Sequence, residues 1–188
     1  MTIAKVDENR KPITGTEEFI ECDTLLLSVG LIPENELSKK ASVSIDRFTN
    51  GAVVDQNRQT SCDGIFACGN VLHVHDLVDF VSEEAEIAAM GAVNYIKNKT
   101  KEKISINIKT DGKIRYTVPQ RITEKKDVTV YFRVSDVFKN VKICVSGGEN
   151  VLFSTKKAKV SPGEMEKITL KSNSFENCAE LNFYLEEV

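Results

Sequence analysis

From about Ile104 onward, apolar and polar residues alternate in short runs, and this alternation constrains the fold more than any other feature. Every second residue is apolar over residues 128–134 and again over residues 181–185; similar short runs cover residues 141–145, 151–153 and 168–170. Turn-forming residues interrupt the runs at Ser146-Gly147-Gly148, Ser161-Pro162-Gly163 and Ser172-Asn173-Ser174. The pattern predicts a small antiparallel β-sandwich over residues 104–188.

In the first hundred residues the apolar residues follow a different pattern. Residues 23–30 and 64–69 are continuous apolar runs of strand length, and each ends in a glycine, which is typical of strands buried on both faces of a parallel sheet. Short strands are also predicted over residues 2–6, 19–21, 43–45 and 52–54, and a short helix over residues 34–40. These elements predict an α/β segment.

One long amphipathic helix is predicted from Val78 to Lys97. Its apolar residues recur at helical spacing and are mostly alanine, so this face could lie close to a sheet or a flat ligand; they are Val81, Ala85, Ala88, Ala89, Ala92, Val93 and Ile96. Three acids (Glu83, Glu84 and Glu86) lie near the helix start, where the helix dipole favours negative charge.

The charge balance changes sign along the chain. Residues 1–100 contain 9 basic and 16 acidic residues, whereas residues 101–188 contain 16 and 12. The change coincides with a basic polar stretch over residues 97–103, which we interpret as a linker between two domains, 1–103 and 104–188. The net charge is only −3 and basic residues are not interleaved with aromatic ones, so nucleic acid is not an expected partner.

Other classes of protein are also disfavoured. The chain contains no run of about 18 apolar residues and no signal-peptide core near Met1, which predicts a cytoplasmic protein without a membrane segment. Its five cysteines are widely spaced and form no C-x-x-C motif, so neither a disulfide framework nor a zinc site is predicted.

Two segments carry a more specific pattern. Residues 23–33 read D-T-L-L-L-S-V-G-L-I-P, and residues 53–70 read V-V-D-Q-N-R-Q-T-S-C-D-G-I-F-A-C-G-N. They resemble the two late fingerprints of the FAD domain in the pyridine nucleotide-disulfide oxidoreductase superfamily, and the alanine-rich helix resembles the helix that follows them there. The resemblance covers about residues 1–97 and implies the C-terminal part of a two-dinucleotide-binding-domain FAD fold.

The resemblance also implies cofactor contacts. A strand that ends in glycine lets the backbone approach a ribityl-phosphate chain, and Gly30, Gly69 and Asn70 match such positions. Asn70 stands where the family usually has Asp, although an amide oxygen can still accept from a hydroxyl group. Leu77, Val78 and Asp79 match the helix start that points at the pyrimidine edge of the flavin ring. Ala85 replaces a common glycine.

The implied activity is hydride transfer between NAD(P)H and FAD and then to an unnamed acceptor. The chain contains no G-x-G-x-x-G, and in the superfamily both glycine-rich loops lie upstream of the matched segments. The chain also starts abruptly in a strand. We therefore expect preceding FAD and NAD(P) segments in a parent protein, and an incomplete half-site that is inactive alone.

Two other interpretations stay open. The chain could be a non-catalytic assembly or binding module derived from a flavoprotein fold, or a two-domain protein unrelated to flavin. Whether the chain is part of an oxidoreductase or an assembly module, the β domain is expected to mediate a homodimer or a contact with a second subunit.

The sequence assigns no catalytic group, either inside or outside the fingerprints. His73 and His75, beside Asp76, could pack the loop, transfer protons on the substrate side or bind a metal. Cys68 lies in an apolar run, where a free cysteine behaves as a small hydrophobic residue rather than a redox thiol.

Overall fold

The computed structural model describes residues 1–28, 30–97 and 103–187. The chain divides into two compact units, Met1–Gly30 and Leu31–Val188. The predicted linker falls largely on residues 98–102, which lie outside the described residues, and the domain boundary near residue 103 stays a prediction.

In the first unit, strands β1 (Thr2–Ile3) and β2 (Glu18–Phe19) form a short antiparallel pair, which confirms two of the predicted strands. The predicted buried strand over residues 23–30 is wrong for the described residues, because residues 23–28 and Gly30 form no strand. Leu26 and Leu27 are 91% and 73% exposed. A parallel strand is held by hydrogen bonds to its neighbours, and within the described part of the chain no strand pairs with this run.

Among its described residues, the second unit contains two α-helices, two 3₁₀ turns and eight strands. The helices are α1 (Glu36–Lys40) and α2 (Val78–Ile96), and the 3₁₀ turns cover Gly69–Val71 and Ser172–Ser174. The strands are β3 (Lys103–Thr110), β4 (Ile114–Val118), β5 (Arg121–Glu124), β6 (Val128–Val134), β7 (Phe138–Gly147), β8 (Asn150–Val160), β9 (Glu166–Leu170) and β10 (Glu180–Glu187). The protein is therefore mostly sheet with few helices. Strand β6 has the bounds that the alternation of apolar and polar residues over 128–134 predicts.

These eight strands form two sheets that share one hydrophobic core. The first has the order β5-β3-β10-β7-β8 and the second β4-β6-β9. Phe132 of β6 and Phe183 of β10 meet edge to face in this core, with ring centroids 6.0 Å apart. The prediction of purely antiparallel strands is wrong at one pair, since β10 runs parallel to β3. A parallel pair needs a long connection, and the intervening strands β4 to β9 provide it.

Residues 31–97 do not build a sheet of their own. The strands predicted over residues 43–45, 52–54 and 64–69 are reduced to the isolated bridges Ile45–Ala52 and Gln59–Phe66. Their apolar side chains instead form a second buried cluster with β4, consisting of Val43, Ala52, Val54, Leu72, Tyr116 and Val118. Burial against β4 replaces burial between neighbouring parallel strands.

Hydrogen bonds fix this segment along β5. The side-chain oxygen of Gln120, Oε1, accepts from the Val54 backbone amide at 2.9 Å, and the Gln120 backbone amide donates to the Val54 carbonyl at 3.2 Å. The Thr123 amide donates to Gln56 Oε1 at 2.8 Å, and the Thr123 hydroxyl donates to Asp55 Oδ2 at 2.9 Å. The turn around residue 57 is thereby anchored to the sandwich.

Helix α2 confirms the predicted helix, but its buried side differs from the predicted apolar stripe. Glu84, Ala88 and Gly91 are buried, whereas Ala85, Ala89, Val93 and Ile96 are exposed. The helix turns its small residues inward because its backbone approaches residue 57 closely: a Cβ atom at Gly91 would lie 2.4 Å from the Asn57 carbonyl oxygen. Within the described residues, no helix has both the length and the apolar character needed to cross a membrane.

Candidate functional site

Glu84 of α2 lies at the centre of a buried polar cluster. Its side chain is completely buried and accepts four hydrogen bonds. Oε1 accepts from Arg58 Nε at 2.9 Å and is 3.2 Å from His73 Nε2, while Oε2 accepts from the Gly69 amide at 2.8 Å and is 3.0 Å from His75 Nε2. The helix, the 3₁₀ turn and two loops are therefore joined at one carboxylate.

A tight turn presents Arg58 to this carboxylate. Asp55 Oδ1 accepts from the amides of Asn57 and Gln59 at 2.8 and 3.0 Å, and the Arg58 backbone between them has a φ of +64°. Few non-glycine residues adopt this left-handed conformation without support from their surroundings. The guanidinium also lies over the ring of Tyr131, with its carbon 5.8 Å from the centroid.

The two histidines reach Glu84 from the loop that follows the 3₁₀ turn. Their rings are 4.2 Å apart, and Asn70 Oδ1 supports the loop by accepting from the His75 amide at 3.1 Å. A carboxylate only accepts hydrogen bonds, so each Nε2 that contacts it must carry the proton. The Nδ1 atoms of both histidines are buried without a hydrogen-bond partner, and Nδ1 of a neutral imidazole with its proton on Nε2 is an acceptor.

Burial and neighbouring charges determine the protonation of Glu84 and His73. Burial acts to raise the pKa of Glu84, but the hydrogen bonds from His73 and His75 and the charge of Arg58 outweigh it, so the pKa is far below its usual range. Burial lowers the pKa of His73, with Glu84 opposing the shift only in part. Glu84 is therefore ionised and His73 neutral at pH 7.

Two histidines and a carboxylate are also a set that could bind a metal, since one ligand atom from each lies within 4.8 Å of the others. However, four donors already fill the lone-pair positions of Glu84, and one of them is the cationic Arg58. A metal ion would have to displace both histidine contacts and approach the guanidinium. The geometry thus supports the packing role for His73 and His75 better than the metal role.

The structure gathers most of the predicted cofactor residues at the start of α2. Gly69 is buried with a φ of +75°, and its amide is committed to Glu84. Asn70 is exposed, although its Oδ1 is engaged by His75. Leu77 is the N-cap residue of α2, and it is exposed together with Val78 and Asp79. Gly30 belongs to the other unit and is exposed there with a φ of +95°.

The start of α2 is exposed and offers both polar and apolar contacts. Among the described residues no side chain caps its amides, and Leu77 and Val78 leave apolar surface open beside them, with exposed fractions of 54% and 75%. A flavin ring is flat and largely apolar, and its pyrimidine edge carries hydrogen-bond acceptors. Helix-start amides and apolar side chains match these two parts of the ring.

Arg58 and Glu84 were not among the residues singled out by the sequence. The sequence places Glu84 among three acids near the helix start, and the structure adds that its side chain is buried and paired with Arg58. A usable signal did exist: Glu84 is in line with Ala88 and Gly91 at helical spacing, so it belongs to the side of the helix that carries the smallest residues.

Several characterised proteins are similar to part of this chain. The nitric oxide reductase FlRd-NAD(+) reductase of Escherichia coli O139:H28 is 30% identical over 112 residues, which are 57% of this chain and 29% of that protein. The protein of the same name from Shigella boydii serotype 18 has the same identity and coverage. The mitochondrial dihydrolipoyl dehydrogenase of Caenorhabditis elegans is 36% identical over 78 residues, 41% of this chain and 16% of that protein.

The chain thus spans less than a third of the length of these relatives. No solved structure matches it at a significant level. The family model described as pyridine nucleotide-disulphide oxidoreductase matches residues 1–98, which include both fingerprints and α2. This match covers more than half of the sequence, and the names of the relatives describe oxidoreductases. The chain therefore belongs to the pyridine nucleotide-disulphide oxidoreductase family.

Proposed function

We propose that this chain is part of an FAD-dependent oxidoreductase that passes a hydride between NAD(P)H and flavin and then to an acceptor. The observation that carries the proposal is the family match over residues 1–98, within which residues 69–79 gather at the open start of α2. Members of this family are typically FAD- and NAD-dependent, and the relatives include an NAD(+) reductase.

In this proposal the chain's own residues bind and orient the flavin, which supplies the redox chemistry when bound. The α2 amides at Val78 and Asp79 would favour negative charge at the pyrimidine edge of the ring. Leu77 and Val78 would cover apolar ring surface. Asn70 would contact a ribityl hydroxyl through its amide nitrogen, because its oxygen already accepts from His75.

The proposed site is a half-site. The 188 residues contain no glycine-rich phosphate loop, so the ADP part of FAD and the NAD(P) site would be formed by further segments of a longer protein. The share of the relatives that this chain spans, 29% for the NAD(+) reductase, supports this division. A cytoplasmic location is also part of the proposal, supported by five free cysteine thiols, which are usual in a reducing compartment.

An FAD titration followed by absorbance tests the proposal, on this chain and on a longer protein that includes the residues encoded upstream. We expect bound flavin only in the longer protein. There, Val78→Asp should abolish binding because it places a carboxylate beside the flavin edge, whereas the control Val93→Asp should not. Both valines are exposed on α2, so neither change disturbs the core. Equal flavin binding by both variants would refute the assignment of the helix start.

One observation favours the assembly-module alternative: the Gly69 amide and Asn70 Oδ1 are already used by internal hydrogen bonds. If neither protein binds flavin, this alternative replaces the first proposal.

We also propose that the β sandwich mediates a homodimer or a contact with a second subunit. Strand β8 supports this proposal, because it pairs only with β7 among the described strands and exposes Val151. Removing residues 104–188 is not a suitable test, since it would remove Tyr116 and Val118 from the second cluster. Val151→Lys should instead lower the oligomeric mass in light scattering, and an unchanged mass would contradict the proposal.

A further inference from the structure

A cavity of about 250 Å³ lies beside the buried cluster, within the second unit. Strands β4 and β6 supply one wall, which carries Arg115, Tyr116 and Arg133. The loops around residues 31–33 and 48–50 supply the other, which carries Ile32, Pro33 and Phe48. One wall is thus cationic and polar, and the other is mainly apolar.

The two arginines differ in how they are held. Arg133 Nη2 donates to the Val74 carbonyl at 3.0 Å and to Asp76 Oδ1, and Nη1 donates to the Pro162 carbonyl at 3.1 Å. Asp76 therefore neutralises Arg133 and fixes its position. Arg115 is exposed and, in the part of the chain that the structure describes, makes neither an ion pair nor a side-chain hydrogen bond. The wall consequently has one positive charge without a partner.

His73 adds an unused acceptor. This side chain lines the cavity and is 1% exposed, its Nε2 contacts Glu84, and its Nδ1 has no partner. A buried polar atom without a hydrogen bond is energetically unfavourable, so a ligand or water that donates to Nδ1 would recover part of that free energy. Nothing in the Glu84 cluster itself uses this atom.

Two apolar side chains of the second wall are exposed. Ile32 is 83% exposed and Phe48 is 41% exposed. Apolar side chains that line a concave site next to a free cation are the usual features of a small-molecule pocket, in which apolar surface gives affinity and one charge fixes orientation.

We propose that this cavity binds a small anion with an apolar body. Arg115 holds the carboxylate or phosphate head, and Ile32 and Phe48 cover the body. The site goes beyond the proposed flavin contacts, because Asn70, Leu77, Val78 and Asp79 do not line the cavity. Its occupancy requires no flavin and no further segment of the protein.

The test uses the full 188-residue chain and amide NMR shifts, with phenyl phosphate and benzoate as probes. Benzyl alcohol lacks the charge and inorganic phosphate lacks the apolar body, so each serves as a control ligand. We expect saturable shifts at residues 31–33, 48–50 and 115–116 with the two anionic aromatic probes, much weaker shifts with either control, and weaker binding at high salt.

Substitutions of two exposed residues test the contact with the anionic head separately from the contact with the apolar body. Arg115→Gln should weaken phenyl phosphate binding about fivefold to tenfold, as expected for one charge-assisted contact. Lys139→Gln removes a charge from exposed strand surface outside the cavity and should change nothing. Ile32→Ser should weaken phenyl phosphate binding but leave the response to inorganic phosphate unchanged.

Three results would overturn the proposal. They are the absence of saturable shifts at the cavity residues with both probes, equal binding of benzyl alcohol, and equal loss of binding in Arg115→Gln and Lys139→Gln. Because Arg115 and Ile32 are exposed, both variants should retain the wild-type amide shifts without ligand, except at residues next to the substitution.

Discussion

Arg58 Nε donates to Glu84 Oε1 over 2.9 Å, and this ion pair is almost completely buried although its partners are 26 positions apart in the sequence. Coulombic attraction is strong in a poorly polarisable interior, but each charge loses its hydration there. Removal of one partner therefore leaves an uncompensated buried charge.

Glu84→Gln should lower the free energy of unfolding by about 3 kcal/mol or more, because Arg58 stays buried without its counter-ion. Urea denaturation gives this value. The control is Glu83→Gln, the neighbouring residue, whose ion pair with Lys167 is 3.0 Å long but about 40% exposed on both sides. It should lower the free energy by less than about 1 kcal/mol. Similar losses in the two variants would contradict the role of the Arg58–Glu84 pair.

Acid should destabilise the protein before its carboxylates titrate. Burial lowers the pKa of His73 from its ordinary value of 6.5, so near pH 6 the unfolded chain binds more protons than the folded one. The free energy of unfolding should therefore fall as the pH drops below about 6.5. His73→Gln keeps an N–H near Glu84 but cannot titrate, and its stability should fall less steeply. Parallel profiles from pH 7.5 to 5.5 would rule out His73 as the cause.

Gly91→Ala should destabilise the protein by about 1–3 kcal/mol, because the new Cβ would overlap the Asn57 carbonyl and push α2 away from residue 57. Gly163→Ala is the control, since no heavy atom lies within 4 Å of a Cβ at that position. Thermal unfolding of both variants checks the prediction. A melting temperature that is unchanged in Gly91→Ala would show that α2 can shift without loss.

Val78→Pro should make the flavin potential more negative in a longer protein that binds FAD. Proline is tolerated in the first turn of a helix but removes one amide N–H, so negative charge on the reduced flavin loses a favourable partner. The expected loss is about 0.3–1 kcal/mol, which a spectroscopic redox titration can detect. Val78→Ala, which retains the amide, should keep the wild-type potential; the same shift in both would exclude the amide as its cause.

Cys68 should react slowly with iodoacetamide. Burial raises the pKa of its thiol, Glu84 adds to the shift and Arg58 only partly opposes it, so little thiolate is present at pH 7.5. Cys22 is exposed and provides the internal comparison. Peptide mass spectrometry over time should show Cys22 modified first. Equal rates at the two residues would return Cys68 to consideration as a redox thiol.

The local elements were predictable because their signals lie within each segment. The alternation over residues 128–134 has the period of a strand and matches β6, and the apolar spacing after Val78 has the period of a helix and matches α2. The family could also be recognised, since its fingerprints are local patterns around Gly30 and Gly69.

Only the tertiary structure decided which segments meet. The apolar run over residues 23–28 has the composition of a buried strand, yet it is exposed because burial depends on a neighbouring strand rather than on the run itself. The parallel pairing of β3 with β10 and the ion pair of Arg58 with Glu84 join residues that are distant in sequence. His73 and His75 are nearer in sequence, but a loop must fold back to bring them to the same carboxylate. Periodicity determines which side of an element is apolar, whereas long-range packing determines what that side contacts.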